Sequence, residues 1–189
     1  MGRERSPEWY DAALERSVHL RLPYHESPYY PMWQKIAKWL EPSGVQTVMD
    51  LGCGPGQFAQ VIENETHCHY FGVDFSQDRI DAARRAVPHF LFVRDDVFEP
   101  RLHGMSYDTV VCLELLEHLD NDVELLGLIR KGTRVFASVP NFGGESHVRH
   151  FSTHFAVCAR YQSQFSKLMV DTFEIAPGRL VFLMDGIKN

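Results

Sequence analysis

Three observations predict an α/β fold built on a doubly wound seven-stranded sheet, mostly parallel with an antiparallel last strand, behind a helical N-terminal cap. From Gln46 onward, short apolar strand-like runs alternate with amphipathic helical runs. The first strand passes at once into three glycines on alternate positions, Gly52, Gly54 and Gly56, and then into a helical pattern. The chain finishes on two apolar runs separated by Pro177-Gly178, a hairpin signature. Near-continuous hydrophobic strands between helices indicate a parallel sheet covered on both faces. Right-handed crossovers then wind the helices onto both sides. At 189 residues one domain is expected, with residues 1–44 as the cap and 45–189 as the core.

The elements follow in order. Ser6 as a cap and Pro7 at the first helical position open a helix over 6–18, with Trp9, Ala13, Leu14 and Val18 as its apolar stripe. Residues 21–31, RLPYHESPYYP, read as a loop punctuated by proline and tyrosine. Tyr24, Tyr29 and Tyr30 there either cover a site as lid residues or pack the N-terminal helices onto the body. The next helix carries Trp33, Ile36, Ala37 and Leu40 and is stopped by Pro42 and Gly44. Strands are expected at 47–51, 69–75, 89–95, 107–115 and 133–139, and helices at 57–65, 78–87 and 121–130. Around Arg101 the connection is short, with a turn at His103-Gly104. A helix over 155–165 precedes strands at 168–176 and 179–187, the last one reversed.

Composition narrows the classes. Hydrophobic residues make up 44% and charged residues 23%, as in ordinary globular proteins. No apolar run approaches the roughly 20 residues that cross a bilayer. The N-terminus lacks the apolar core of a secretory signal. A soluble cytoplasmic protein without membrane partners is expected. Cys53, Cys68, Cys112 and Cys158 form no CxxC pair, which argues against a zinc cluster or a disulfide framework and for reduced thiols. A net charge of −6 without a dense Lys/Arg run disfavours nucleic acid.

The glycine turn carries the first chemistry. Strand, glycine turn, helix brings backbone close to a ligand. In the dinucleotide pattern GxGxxG the third glycine would fall at Gln57, and Gly56 is one position early. The sequence instead reads DxGxGxG from Asp50, and Asp74 ends the next apolar run 18 positions after Gly56. A strand-end carboxylate can accept from both hydroxyls of a ribose. Together with FVRDDV (92–97) and CLELLEHLDN (112–121), this order of strand-end motifs resembles class I S-adenosylmethionine (SAM)-dependent methyltransferases, in the branch that methylates O or N of small molecules. The resemblance runs from Gln46 to the terminal hairpin and implies a Rossmann-like core with SAM as cofactor.

What the resemblance implies for residues is as follows. Asp50, Gly52, Gly54 and Gly56 form the SAM turn, Asp74 takes the ribose hydroxyls and Phe75 faces the adenine. Asp96 accepts from the adenine amino group, with Asp95 as the one-residue slip, and the Val97 N–H meets a ring nitrogen. Backbone at Leu113 lines the methionine part. Glu117 and His118 then stand at the top of the site as the catalytic candidates. Histidine suits general-base work near neutral pH, and His118 is either that base or a structural loop residue. The loop FGGESHVRHFSTHF (142–155) lies where the family builds its acceptor pocket, with His147, Arg149 and His150 as substrate-binding candidates beside Tyr29 and Tyr30. Its histidines, His154 included, are either solvated or recognise the acceptor, and Arg149 could pair with an acidic substrate.

The expected function is methyl transfer from SAM to O or N of a small molecule, with no metal assigned. The alternative is a metal-dependent RNA 2′-O-methyltransferase, because Glu114, Glu117, His118 and a later His resemble the metal set of the small-RNA enzymes and two carboxylates with two imidazoles suit a divalent cation. A similar string occurs in metal-free ubiquinone-biosynthesis O-methyltransferases. A third possibility is a SAM-binding protein without catalysis.

Overall fold

The computed structural model of the chain describes residues 2–41, 44 and 46–189. Its helices are α1 (Pro7–Arg16), α2 (Tyr30–Leu40), α3 (Gln57–Glu65), α4 (Gln77–Ala86), α5 (Pro100–His103), α6 (Asp122–Leu128) and α7 (His154–Tyr161). The strands are β1 (Thr47–Leu51), β2 (His69–Asp74), β3 (Leu91–Arg94), β4 (Thr109–Cys112), β5 (Arg134–Pro140), β6 (Phe165–Ala176) and β7 (Arg179–Lys188). They form one seven-stranded sheet in the order β3-β2-β1-β4-β5-β7-β6. β1, β2 and β3 pair in parallel, as do β4 and β5. β7 runs antiparallel to both β5 and β6, so the last strand is reversed and inserted between its neighbours. The α/β expectation holds. No helix among the described residues is long and apolar enough to cross a membrane.

Residue contacts divide the chain into two compact units, and the division does not fall at residue 44. One comprises 6–97 with 106–108, so α1 and α2 belong with β1, β2 and β3. Here α2 buries Met32, Trp33, Ile36, Ala37 and Leu40, a stripe at helical spacing. β1 and β2 are buried almost throughout, as strands covered on both faces must be. α3 buries Phe58, Ala59, Val61 and Ile62, and α4 buries Ile80 and Ala83. In α1 the buried residue is Tyr10, not the expected stripe, and Val18 lies beyond the helix and exposed. Tyr10 lies against Phe75 and beneath the Arg79 guanidinium, which explains the choice of face. Asp11 accepts from the Ser76 hydroxyl (2.5 Å) and the Asp78 N–H (3.3 Å), tying α1 to the start of α4. Ser6 stands at the N-cap of α1, but its side chain makes no capping bond to the helix backbone. The stop expected at Pro42 falls outside the described residues; α2 ends at Leu40.

The other unit comprises residues 1–5, 98–105 and 109–189. The weakly patterned stretch at Arg101 is one helical turn, α5, opened by Pro100 at its first position. β4 is shorter than expected because Glu114 leaves the sheet with φ of +52°, a conformation that L side chains rarely adopt. α7 stops at Tyr161 and a 3₁₀ turn over Gln162–Gln164 follows, so β6 begins three residues early at Phe165. Val181, Phe182, Leu183 and Met184 of β7 fill the middle of the hairpin side of the sheet.

Gly56 tests the local geometry. Its φ is +85°, and a Cβ there would sit 3.0 Å from both Cα and Cβ of Ala83 on α4. Gly56→Ala should therefore lose about 1–3 kcal/mol in urea denaturation. An unchanged midpoint would contradict this packing.

Candidate active site

In the first unit the end of β1 is pinned against the end of β2. The N–H groups of Gly52 and Cys53 both donate to the Val73 carbonyl, at 2.8 and 2.9 Å. The Gly54 N–H donates to Asp74 Oδ2 at 3.0 Å, and the Ser76 N–H to Asp74 Oδ1 at 2.9 Å. One buried carboxylate thus fixes both the glycine turn and the approach to α4. A carboxylate oxygen has two acceptor directions, so each retains one for a hydroxyl. α3 opens on Gly56 in the left-handed region without a side-chain cap, so the first N–H groups of the helix lack the usual capping oxygen.

Gln57 stands where the dinucleotide pattern would have its third glycine. Its side-chain amide donates to the carbonyls of His19 and Leu22, at 3.0 and 2.9 Å, and holds that segment beside the turn. Tyr30 is engaged in packing: its hydroxyl donates to Glu65 at 2.7 Å and accepts from Gln34 at 2.9 Å. Tyr29 stacks on Trp33 with ring centroids 6.0 Å apart. At the end of β3, Asp96 is exposed and Val97 buried, while the Asp95 side chain accepts from the Asp96 N–H at 3.0 Å.

Asp50 is the unusual group of this half. It is buried, its Oδ2 accepts a hydrogen bond from the Tyr70 hydroxyl, and its Oδ1 has no protein partner. Burial pushes its carboxyl up to about 7, against the lowering effect of the Tyr70 bond. Burial also raises Asp74, partly offset by Arg79 and by the two backbone donors.

In the second unit Ser138 clamps the strained Glu114. The Ser138 hydroxyl accepts from the Glu114 N–H at 2.8 Å and donates to Glu114 Oε1 at 2.9 Å. Glu117 and His118 lie on a 3₁₀ turn over Leu116–His118. Glu117 is fully buried, and neither carboxylate oxygen has a hydrogen-bond partner. Burial first, and Glu114 second, hold its carboxyl well above the usual carboxylate range. His118 Nδ1 bonds the Ser146 carbonyl at 3.0 Å, and its Nε2 lies 3.9 Å from Glu117 Oε1. His147 meets the His118 ring edge-on at 4.8 Å between centroids and bonds the Phe142 carbonyl through Nδ1 at 3.0 Å. Burial pushes the His147 imidazolium down, favouring the neutral ring.

Of the acceptor-side candidates, the structure brings together Glu117, His118 and His147. Glu114 stays with Ser138 and is outside that group. His150 and His154 are exposed. Arg149 points its charge inward: Nη1 donates to the carbonyls of Leu116 (2.6 Å) and Leu119, Nη2 to that of Asp120 (3.1 Å), and Nη1 pairs with Asp122 at 3.2 Å. Buried Asp122 also holds Arg160 (2.6 and 2.8 Å) and the Tyr161 hydroxyl (2.6 Å). Residues 2–5, in which the sequence offered no such signal, grip the same loop. Gly2 donates to the His147 carbonyl at 3.0 Å, Arg3 and Arg5 donate to that of Glu145, and Glu4 accepts from the Asp120 N–H.

The seven-stranded sheet with this strand order and reversed last strand, the DxGxGxG turn and the acidic β2 end agree with the Rossmann-like methyltransferase fold that the sequence resemblance implies. Residues 48–136 match the family model described as a methyltransferase domain. The ubiquinone biosynthesis O-methyltransferase of Neisseria meningitidis serogroup C (strain 053442) is 26% identical over 130 residues, covering 62% of this chain and 52% of that protein. The chain thus spans about half the length of the curated relatives it matches. Magnesium protoporphyrin IX methyltransferase from Synechocystis PCC 6803, solved with bound SAM, has a TM-score of 0.67 at 16% identity, with all of both chains covered. The 1,6-didemethyltoxoflavin-N1-methyltransferase of Burkholderia thailandensis, solved with its substrate and S-adenosylhomocysteine, has a TM-score of 0.67 at 18% identity, covering 100% of this chain and 93% of that one.

Asp50 gives a pH test. A carboxyl whose folded pKa is raised keeps its proton where the unfolded chain has released it. Stability then falls as pH rises from about 4 toward about 7, by about 1.4 kcal/mol per pH unit, and flattens above that window. Asp50→Asn should remove this component from denaturation midpoints measured across the window. The same slope in the variant would show that Asp50 does not cause it.

Proposed function

We propose that the protein transfers a methyl group from SAM to an oxygen or nitrogen of a small-molecule acceptor, with a hydroxyl as the acceptor the site suits best. The observation that supports this most is the fixed ring of His118: Nδ1 is engaged by the Ser146 carbonyl, which makes Nε2 the basic nitrogen of the neutral imidazole. An N-acceptor with a free lone pair needs little deprotonation, whereas a hydroxyl gains from a positioned base, by about 10²–10⁴-fold. Buried Glu117 beside it is the second catalytic residue. SAM is the cofactor, as it is in the solved magnesium protoporphyrin IX enzyme.

The SAM-binding residues are Asp50, Gly52, Gly54, Gly56, Asp74, Phe75, Asp96, Val97 and Leu113. The positive-φ glycines support backbone approach to the ligand, with φ of +79°, +54° and +85°. The uncapped start of α3 suits the carboxylate of the methionine part. Donor and acceptor need mainly to be held in line, because effective molarities are worth roughly 7–11 kcal/mol. His147 is the acceptor-side residue that best fits recognition, since it lies in the cluster with Glu117 and His118. Arg149, with its donors engaged by carbonyls and Asp122, acts by positioning the Leu116–His118 turn, and Tyr29, Tyr30 and His150 take secondary roles. Residues 1–189 form one methyltransferase domain in this proposal. A cytoplasmic setting belongs to it as well, on the strength of four cysteines that form no disulfide.

Small phenols and amines incubated with SAM and the purified chain should yield S-adenosylhomocysteine. His118→Ala should then lose about 10²–10⁴-fold in kcat on a phenolic acceptor, with SAM affinity retained. Equal turnover by the variant would remove His118 from the chemistry.

A further inference from the structure

The second unit contains a feature that the proposed roles of Glu117 and His118 in methyl transfer leave unexplained. Glu117 is fully buried with both carboxylate oxygens unpartnered, and a buried polar group left so costs stability unless something satisfies it. Arg149, the nearby cation, does not bond it; its guanidinium goes to Asp122 and three carbonyls. Two imidazoles stand beside the carboxylate, and one ligand atom from each of Glu117, His118 and His147 falls within 4.8 Å of the others.

Both rings also carry an arrangement typical of metal ligands. His118 Nδ1 bonds the Ser146 carbonyl and His147 Nδ1 the Phe142 carbonyl, each at 3.0 Å. A ring whose Nδ1–H donates to a backbone carbonyl presents Nε2 with its lone pair, and that outer bond fixes its orientation. Gly144 leaves the room for His147: a Cβ there would lie 3.1–3.3 Å from three atoms of the ring.

The geometry points to a site for one divalent zinc-type cation, held by Glu117, His118 and His147 with a fourth position open to water or an acceptor oxygen. Two imidazoles and one carboxylate are a donor set that suits zinc with an open coordination position. Ligand bonds of about 2 Å require the three side chains to close inward by roughly an ångström. The ion would satisfy the orphaned carboxylate and place a Lewis acid at the acceptor side. In a zinc-loaded molecule His118 is a ligand rather than a free base. The open position rests on the methyltransferase reading, but cation binding does not.

The test uses the full chain without an affinity tag, stripped by a chelator and titrated with Zn²⁺ by calorimetry and with Co²⁺ by visible absorption. One ion per chain is expected, with a tetrahedral cobalt spectrum. Glu117→Gln and His147→Ala should each weaken binding by about 100-fold or more, and His154→Ala, at an exposed histidine outside the cluster, should leave it unchanged. No binding by the wild-type chain would overturn the site, as would equal binding by folded Glu117→Gln and His147→Ala. If Glu117→Gln does not fold, the cobalt spectrum of wild type against His147→Ala decides alone. SAM binding is measured on the same samples. SAM bound without a cation site refutes only this inference, and a cation site without SAM binding refutes only the methyltransferase reading.

Discussion

The unit that carries the glycine turn depends on one buried carboxylate. Asp74 accepts the Gly54 N–H on one oxygen and the Ser76 N–H on the other. Hydrogen bonds to a charged group are worth about 1.5–3 kcal/mol each, and here they join two segments that are neighbours only through the parallel pairing of β1 and β2. The glycines alone would leave a flexible turn, since freedom at φ is an entropic liability. With Asp74 in place the turn has one conformation, and Ser76 can at once cap α4 and reach Asp11 of α1. Gln57 extends the same scaffold by bonding the carbonyls of His19 and Leu22.

The second unit rests on a different kind of interaction, an ion cluster. Asp122 holds Arg149, Arg160 and Tyr161, and Arg149 carries that anchorage to three carbonyls around the Glu117–His118 turn. A buried charge cluster contributes specificity of shape more than net stability, because desolvation offsets much of the attraction. Its effect here is positional. The strained Glu114, the Leu116–His118 turn and the loop with His147 are each fixed by polar bonds.

How much of this was legible in the sequence follows from which interactions are local. β1 and α3 fall at the expected residues because strand, glycine and helix signals stand side by side there. The reversed last strand was readable from Pro177-Gly178 between two apolar runs. The choice of Tyr10 as the buried face of α1 was not, since its partners Phe75 and Arg79 lie more than sixty residues on. For the same reason Arg149 looked like a substrate-pairing charge, although its acceptors are carbonyls some thirty residues earlier. The loop histidines were equivalent in sequence; only the fold separates His147, against His118, from the exposed His150 and His154. A one-residue question such as Asp95 against Asp96 turns on side-chain direction, which composition does not encode.

We propose that SAM sits on the glycine turn with its ribose on Asp74. A crystal structure of the chain with S-adenosylhomocysteine tests this most directly. It should show both ribose hydroxyls within hydrogen-bonding distance of the Asp74 carboxylate, with the glycine turn otherwise unmoved. A ligand bound elsewhere, or a ribose that does not meet Asp74, would overturn this placement.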